Sequence, residues 1–475
     1  ALKSLSNFSF LYTYENFDGE RIYMANTPWY YLPKLMVIGN PVYILLGVII
    51  CIIAIKWIAK RYRMSLIYIT IFILIFPVFY IIYKKSMVYN GWRHVLFVYL
   101  SVVILAAIGW DFVINLSKPR LIPLISVLLL LGGLSGKVLV WMVANHPNQY
   151  IYFNELIGGA KGAYGNYEMD YYSNTMKQAV EWLVANEPVK NKKVKVVANN
   201  ELLTVTHYTE KLADSIQVLW TRDYERQKQD WDYAIFTSRT YSPFQIKNGA
   251  FPPKGTIHTI DVDGVPVCAI VKRPNKIMAQ GYSFSTQGDY EKALSYFEQA
   301  IQFDSTDEEA YRMAALSLMN EEQLEKGVAY LDKAIQLFPE SFMAYYLKGF
   351  YFKAKEDYDN AEKCFKASIE RRINNGDAYA EIGSIYLDKG QFVKSLEYLN
   401  EALKYGNMQP LTYANMGLAY MNMDDYEAAI NYLNMAISRN PYFYPAYENI
   451  AICFEKLGDF ETAKEARLRM KEMGG

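Results

Sequence analysis

The run HPNQYIYFNELIGGAKGAYGNYEMDYYSNTMKQAVEWL, residues 146–183, decides how the chain is divided. It follows directly on an apolar run at residues 121–144 and is rich in Tyr, Asn and Gly. Amphipathic aromatic rings such as tyrosine are enriched where a membrane meets water. The sequence therefore predicts that the chain before this run is embedded in a membrane and that the chain after it folds in water.

Four apolar segments support the membrane prediction, at residues 41–57, 64–83, 94–113 and 121–144. A helix needs about 20 apolar residues to cross a bilayer. Four such segments in close succession favour membrane insertion over burial inside a large soluble protein. The sequence predicts a loop and interfacial segment over residues 1–40, followed by a bundle of four transmembrane helices over 41–145.

The basic residues between the spans predict an orientation. The loop 56–63 and the turn 118–120 together carry six Lys and Arg, whereas the loop 84–93 carries three. Loops with more Lys and Arg tend to be cytoplasmic. We therefore expect a multi-pass protein of the inner (plasma) membrane, with both ends of the chain on the extracytoplasmic (periplasmic) side.

Cations gather in the outer loop between the second and third spans, where Lys84, Lys85, Arg93 and His94 would lie at the interface. Lys and Arg are natural partners of phosphate. Two interpretations stay open, a site for a lipid phosphate or simple anchoring to anionic membrane lipids. Lys137 inside the fourth span either extends to the interface or binds an anionic headgroup.

A membrane-proximal aromatic segment and helix, residues 146–185, leads into a predicted small α/β domain over 186–273. A helical pattern starts near Asn174, and Asp263-Gly264 between two alternating Val/Ile runs indicates a type I′ hairpin. The domain shows neither a Gly-rich phosphate loop nor a nucleophile motif. His207 and His258 are isolated, which favours structural or surface roles over metal binding.

From residue 274 the chain repeats with a period of about 34 residues, the length of a tetratricopeptide (TPR) repeat. Small residues and tyrosines recur in three columns, because close helix crossings need a small side chain opposite an aromatic or branched one. The columns are Ala293, Gly327, Ala361, Ser395, Ala429 and Ala463; Gly281, Ala315, Gly349, Gly383, Gly417 and Ala451; and Tyr311, Tyr345, Tyr379, Tyr413 and Tyr447. The sequence predicts an all-α solenoid of six repeats over residues 274–475.

Solenoids of this kind present a concave groove and mostly bind proteins or peptides. The groove positions do not match a chaperone-type carboxylate clamp, which needs paired Lys and Asn on the first helices. They hold Met278 and Tyr282, Arg312 and Leu316, and Tyr346 and Phe350 instead. The aromatic residues among them either line a site for an extended peptide or glycan, or belong to the core, and the core is slightly favoured.

The composition excludes some functions. With 49 basic and 49 acidic residues the formal charge is zero, so nothing indicates nucleic acid as a partner. The four cysteines have neither the spacing of a disulfide framework nor a pairing with histidines. We therefore expect no metal and no cofactor.

The boundary run resembles the segment after the last transmembrane helix in bacterial GT-C-fold glycosyltransferases that use a polyprenyl-phosphate sugar donor. These belong to the wider group of protein mannosyltransferases and aminoarabinose transferases. TPWYYLPKLMVIGNP (residues 27–41) resembles the late extracytoplasmic loop of that family, usually HPWYY, with Thr27 in place of the His. NGWRHVLFVYL (residues 90–100) resembles the basic entry into a late transmembrane helix. The resemblance covers residues 20–185, and its fusion to TPRs also resembles TMTC-type O-mannosyltransferases in architecture.

The resemblance implies transfer of a sugar from a lipid phosphate to an acceptor outside the cytoplasm. It assigns Lys85, Arg93 and His94 to the donor phosphate, and Trp29, Tyr30 and Tyr31 to the loop that covers the site. The catalytic carboxylate of the family lies in a first outer loop that this sequence lacks. The chain is therefore expected to be the C-terminal part of such an enzyme, a partial GT-C fold, with no catalytic residue of its own.

Two functions follow from these patterns. The first is a membrane glycosyltransferase portion whose repeats recruit the acceptor or an assembly partner. The alternative is a non-catalytic, membrane-anchored TPR scaffold for protein–protein interaction. Glu168 and Asp170 are expected to be solvated or capping residues under either hypothesis.

Overall fold

The structure, a computed structural model, describes residues 14–118, 120–189, 193–199, 202–222 and 224–472. Within these ranges the protein is mostly helical, with a solenoid of helix pairs and a small sheet domain. The chain divides into two compact units, Ala1–Lys276 and Ile277–Gly475.

The helices of the first unit include long apolar ones and short amphipathic ones. In chain order they are α1 Tyr31–Ile38, α2 Val42–Ile53, α3 Ile55–Ile58, α4 Met64–Tyr83, α5 Tyr99–Ser117, α6 Leu121–Ala144, α7 Gly159–Ala163, α8 Asn174–Asn186, α9 Leu202–Thr209 and α10 Pro243–Lys247. A 3₁₀ segment, Arg93–Val98, leads directly into α5.

Three helical segments of the described chain are long and apolar enough to cross a membrane. They are Met64–Tyr83, Arg93–Ser117 and Leu121–Ala144. They coincide with the second, third and fourth predicted spans, although the third continues past its predicted end at residue 113. None of the residues of α6 is buried within the unit, as expected of a helix whose surface faces lipid.

The predicted first span, residues 41–57, is not one continuous helix. It divides into α2, with 12 residues, and the single turn α3. By length and composition α2 qualifies as a span only together with α1, and the two are bent by 113°. Pro41 explains the bend, because it has no N–H to continue the hydrogen bonds of α1. The prediction of four continuous spans is therefore corrected to three, plus a bent pair.

Asn154 packs against this bend and is fully buried. It belongs to the boundary run, residues 146–183, which we call the boundary segment. The Asn154 side-chain amide donates to the carbonyls of Val37 and Asn40, each at 2.7 Å. Its backbone N–H donates to Ile38 O at 2.8 Å. The carbonyls at the end of a helix need such partners when they are not exposed to water, so Asn154 ties the boundary segment to α1.

Helices α2 and α5 cross at two glycines. A Cβ on Gly47 would lie 2.7 Å from both Ala106 O and the Trp110 ring, and a Cβ on Gly109 would overlap Gly47 O. Small residues allow this close backbone approach in membrane helix pairs.

Two sheets complete the first unit. Strands β1 (Tyr14–Phe17) and β2 (Glu20–Tyr23) form an antiparallel hairpin. The second sheet has the order β4-β3-β5-β7-β6, in which β3, β4 and β5 are parallel and β6 and β7 antiparallel. Its strands are β3 Val194–Ala198, β4 Ile216–Trp220, β5 Tyr233–Thr237, β6 Thr256–Val262 and β7 Val265–Lys272.

The α/β domain follows its sequence signals closely. Helix α8 begins at Asn174 after Ser173, as predicted, and buries Met176 and Leu183 against the sheet. Asp263 and Gly264 both have positive φ, 51° and 76°, between the paired strands β6 and β7. Positive φ at both central residues is the geometry of a type I′ turn.

The second unit consists of helix pairs in the predicted register. From Glu308 onward the first helices start at a constant spacing of one repeat, and from Tyr290 onward so do the second helices. The pairs are α11 Ile277–Thr286 and α12 Tyr290–Phe303, α13 Glu308–Asn320 and α14 Leu324–Leu337, α15 Phe342–Ala354 and α16 Tyr358–Arg371, α17 Gly376–Asp388 and α18 Phe392–Lys404, α19 Pro410–Met421 and α20 Tyr426–Arg439, and α21 Tyr444–Lys456 and α22 Phe460–Glu472.

Candidate functional site

A buried group of charges joins the apolar helices of the first unit to the α/β domain, and we call it the polar junction. Its centre is Arg239, in the 3₁₀ turn Ser238–Thr240 that follows β5. The Arg239 Nε lies 2.8 Å from Glu168 Oε1, and Nη2 donates to Asn90 Oδ1 at 2.9 Å. Arg239 therefore links the boundary segment to the loop in front of the third span.

Glu15, on β1, completes the junction. Its carboxylate accepts hydrogen bonds from the Tyr31 hydroxyl and from the backbone N–H of Asn90. Glu15 is 3% exposed, and the Glu168 side chain is 6% exposed. Two buried carboxylates thus share one arginine, which leaves a surplus of negative charge if both are ionised.

Burial shifts the titration of both acids. Burial raises the pKa of Glu168 to about 8, although the charge of Arg239 lowers it. Burial also raises the pKa of Glu15, while the hydrogen bond from Tyr31 lowers it. Near neutral pH the junction therefore holds a proton that a solvated pair of glutamates would release.

Asp170 lies beside the junction in the same segment and is fully buried. Its carboxylate accepts hydrogen bonds from the hydroxyls of Tyr150 and Thr175. Glu168 and Asp170 were expected to be solvated or capping residues. The structure corrects this, because the aromatic residues around them exclude water and leave protein groups as their partners.

The predicted donor-phosphate residues lie just beyond Asn90. Arg93 stacks on the Tyr89 ring at 4.6 Å, and the His94 ring packs edge-on against the same tyrosine at 4.8 Å. Lys85 is exposed at the end of α4, with a left-handed φ of 47°. Arg93 and His94 thus both contact Tyr89, whereas the Lys85 side chain is exposed.

The three residues of the predicted covering loop differ in exposure. Trp29 is 71% exposed and packs edge-on against Tyr30, whereas Tyr31 is buried, with its ring against Phe17. Trp29 and Tyr30 could still contact a ligand. Tyr31 positions Glu15 through its hydroxyl.

A small cleft lies next to the polar junction, between the boundary segment and the turn after β5. Asn16, Tyr167, Glu168 and Arg239 are among its lining residues, and they leave no enclosed space for even a water-sized group. Small-molecule sites usually measure about 300–1,000 Å³. This cleft is too small to hold a substrate, and in the described ranges no group of acids, histidines and cysteines could hold a metal ion.

The aromatic residues predicted along the solenoid groove belong mainly to its core. Tyr346 and Phe350 both pack against Phe365 of the second helix, at 5.7 and 5.6 Å between ring centres. Tyr282 packs edge-on against Phe297 and donates its hydroxyl hydrogen to Glu309 at 2.7 Å. The slightly favoured prediction, core rather than ligand lining, agrees with these contacts.

Polar and half-buried side chains occupy the first helices further along. The Lys353 ammonium bridges Glu381 at 2.6 Å and Ser384 Oγ at 3.1 Å, across α15 and α17. At the position of Ser384 in the next repeat stands Leu418, also half-buried. This face therefore offers both a hydrogen-bonding and an apolar surface to a partner.

The sixth repeat departs from the others at one core position. Where Phe297, Leu331, Phe365, Leu399 and Leu433 fill the crossing, this repeat has Arg467. Arg467 pairs with Glu448 at 2.9 Å and with Glu455, both on α21. A polar substitution of this kind is typical of a terminal repeat, whose outer face meets water.

Sequence reasoning missed the polar junction. Glu15, Asn90 and Arg239 stand far apart in the chain, so no local spacing connects them. The one available signal was the pair of acids, Glu168 and Asp170, within an unusually aromatic run. Carboxylates that are buried among tyrosines need hydrogen-bond partners, and tyrosine hydroxyls can provide them.

Comparison with known families confirms the repeats. Two tetratricopeptide repeat models match the chain, one at residues 278–342 and 346–407 and the other at 410–443. The second unit is therefore a TPR solenoid, which implies protein–protein interaction. All of these matches lie in the solenoid, and the resemblance of residues 20–185 to GT-C glycosyltransferases stays a prediction.

Three of the similar solved structures each match 38–42% of this chain. YrrB, described as a TPR protein with an unusual peptide-binding site, is 23% identical, with 38% of this chain and 92% of its own covered and a TM-score of 0.32. PilF of Pseudomonas aeruginosa is 16% identical, with 42% and 90% covered and a TM-score of 0.38. TTC0263 of Thermus thermophilus is 16% identical, with 38% and 97% covered and a TM-score of 0.33. Likeness at this level assigns neither a ligand nor a partner.

None of the curated proteins matches this sequence.

Proposed function

We propose that this protein is a membrane-anchored scaffold whose TPR solenoid binds a protein or peptide partner. The observation that carries the proposal is the solenoid itself, whose helix pairs keep a constant register from repeat to repeat. TPR arrays serve mainly as binding surfaces. In the first unit, three long apolar helices supply the anchor.

The first helices provide the binding surface in this proposal. Ser384 and Leu418 occupy the same position in successive repeats and are half-buried, so these side chains are fixed by neighbours yet accessible. Lys353 and Glu381 are paired with each other, so the described groove has no excess of one charge there. The expected partner therefore contributes apolar side chains and backbone hydrogen bonds.

Site-specific photo-crosslinking tests this function. A photoreactive amino acid replaces Ser384 or Leu418 on the first helices. The matched controls carry it at the exposed Val393 or Glu427 on the second helices, two positions that are also one repeat apart. We expect one protein adduct of constant size from the first two positions in membranes of the native host. The controls should give none.

Two results would contradict the scaffold. One is the absence of adducts at every position although all variants are expressed and inserted. The other is an adduct pattern that is equal on the first and the second helices, which indicates random collision.

A second candidate is the C-terminal portion of a membrane glycosyltransferase that takes its sugar from a polyprenyl phosphate. The observation in its favour is the grouping of Arg93 and His94 around Tyr89, next to Asn90 of the polar junction. Fixed cations can stabilise a departing lipid phosphate. The proposed location of this site is the extracytoplasmic face of the membrane.

Mutation in the complete natural protein separates the two candidates. The enzyme hypothesis predicts that Arg93→Ala lowers sugar transfer from a polyprenyl-phosphate donor by about tenfold or more, the loss expected for a hydrogen bond to a charged group. Lys56→Ala, in the loop predicted to be cytoplasmic, is the control. If the protein transfers no sugar, or if Arg93→Ala leaves transfer unchanged, this candidate is rejected while the scaffold stands.

A further inference from the structure

The central sheet of the α/β domain has a topological switch point. From β3 the chain continues to β4 on one side, and it then crosses to β5 on the other side of β3. In open sheets with parallel strands, ligands bind beyond the carboxyl ends of the two strands where the order reverses. The ends of β3 and β5 are therefore the place to look for a ligand site.

Thr240 connects the two strand ends. It closes the 3₁₀ turn that follows β5, and its hydroxyl accepts a hydrogen bond at 2.5 Å from the side-chain amide of Asn199, which follows β3. Its carbonyl oxygen accepts from two guanidinium groups, Arg21 Nη2 and Arg226 Nη2, each at 3.3 Å. Arg21 of the hairpin and Arg226 of the loop after β4 thus donate to the same carbonyl oxygen, that of Thr240 in the turn after β5.

Aromatic rings fix both guanidinium groups. The Arg21 Cζ lies 4.3 Å from the centre of the Tyr14 ring, and the Arg226 Cζ lies 3.8 Å from that of Tyr241. Stacking of this kind holds a guanidinium plane in place without neutralising its charge. The two cations are therefore preorganised and close to each other.

Neither arginine has a counter-ion among the described residues. In those ranges no carboxylate lies within ion-pair distance of Arg21 or Arg226. The Nε atoms of both are buried and have no hydrogen-bond partner there. Glu168 is near enough for its charge to act on Arg21, but its ion pair is with Arg239.

We propose that Arg21 and Arg226 form a binding site for a phosphate group, free or on a lipid headgroup. Two like charges on one neutral carbonyl oxygen repel each other, and an oxyanion between them removes that repulsion. Arginine pairs recognise phosphate through charge-assisted hydrogen bonds, and the terminal guanidinium nitrogens of Arg21 and Arg226 are donors for such bonds. The site is separate from the repeats and does not depend on the scaffold or the glycosyltransferase proposal.

Phosphate titration of the whole chain in nanodiscs of zwitterionic lipid tests the site. We expect inorganic phosphate to raise the midpoint of thermal unfolding in a saturable way. The double variant Arg21→Gln/Arg226→Gln should lose this effect, with binding weakened about tenfold or more. Arg222→Gln is the matched control, because Arg222 is an exposed arginine of the same loop whose guanidinium donates to the Tyr224 hydroxyl.

A second arm distinguishes the sources of phosphate. If a headgroup is the ligand, the wild type is stabilised in phosphatidylglycerol nanodiscs relative to phosphatidylcholine nanodiscs, and the double variant loses that difference. The proposal fails if neither free phosphate nor the anionic lipid stabilises the wild type, or if the effect persists in the double variant.

Discussion

At the scale of single residues, the column of small residues that includes Gly349 and Gly383 shows how a packing neighbour limits substitution. The side chain that packs against each position decides whether a larger residue is tolerated there. A Cβ on Gly349 would overlap the Phe365 ring, and a Cβ on Gly383 would lie 2.7 Å from Leu399 Cγ. A buried aromatic ring cannot bend away, whereas leucine can change rotamer. The second repeat already places an alanine, Ala315, at this position with Leu331 at the partner position.

These contacts give opposite expectations for the same substitution. Gly349→Ala should lower the free energy of unfolding of the solenoid by about 1–3 kcal/mol, the usual cost of overpacking. Gly383→Ala should be neutral or stabilising, because alanine favours a helix over glycine by about 1 kcal/mol. Thermal and denaturant unfolding of the full chain measures both, and equal effects of the two substitutions would contradict the role of Phe365.

Glu168 makes the stability of the first unit depend on pH. An ordinary glutamate titrates near 4.5, whereas burial raises the pKa of Glu168 in the folded chain to about 8. Between these values the folded state keeps a proton that the unfolded state releases. The free energy of unfolding should therefore fall as pH rises from about 4.5 to about 8 and level off above that. Glu15 and Asp170, with pKa values also raised by burial, act in the same direction.

Replacing the Glu168 carboxyl should make the free energy of unfolding less dependent on pH. We expect Glu168→Gln to reduce the slope by up to about 1.4 kcal/mol per pH unit at its steepest, the value for one proton. Unfolding in detergent between about pH 5 and 9 measures the slope. Glu20→Gln, at an exposed position on the hairpin, is the control and should leave the slope as it is. An unchanged slope in Glu168→Gln would show that Glu168 does not hold the proton.

At the scale of secondary-structure elements, glycine governs the crossing of α2 and α5. Gly109→Ala would place a methyl group against the backbone of Gly47, and backbone cannot turn aside as a side chain does. We expect this substitution to separate the helices and to lower the free energy of unfolding by about 2 kcal/mol or more. Gly133→Ala on α6 is the control, because nothing lies within 4 Å of its added Cβ.

Thermal unfolding measures this loss of stability. Gly109→Ala should lower the melting temperature in detergent, while Gly133→Ala should leave it unchanged or raise it, because alanine favours a helix over glycine. A normal melting temperature for Gly109→Ala would mean that α2 and α5 are held by other contacts, such as the hydrogen bond from Trp110 Nε1 to Tyr43 O at 2.8 Å.

Elements with a strong local signal could be predicted from the sequence, and the others could not. The repeats are evident from their fixed period, and the hairpin at Asp263 from its turn residues. The break between α2 and α3 was missed because Ala54 lies in an apolar run that reads as continuous. The polar junction was missed for a different reason, since Glu15, Asn90 and Arg239 meet only when three elements fold together.

At the scale of the whole molecule, the side of the membrane that carries the solenoid can be tested directly. The bias of basic residues predicts the extracytoplasmic side, and the glycosyltransferase candidate depends on that orientation. The chain contains a convenient probe. Of its four cysteines, Cys51, Cys268 and Cys453 are buried, whereas Cys364 in the solenoid is partly exposed.

Thiol labelling of Cys364 in intact cells therefore reports the orientation. We expect a membrane-impermeant maleimide to label the protein without lysis of the inner membrane, after permeabilisation of the outer membrane where one is present. Burial raises the pKa of this thiol, so the reaction should be faster near pH 8 than near pH 7. Cys364→Ser should abolish the signal. Labelling that appears only when the inner membrane is opened, with the protein still folded, would place the solenoid in the cytoplasm and would contradict the orientation on which the glycosyltransferase candidate depends.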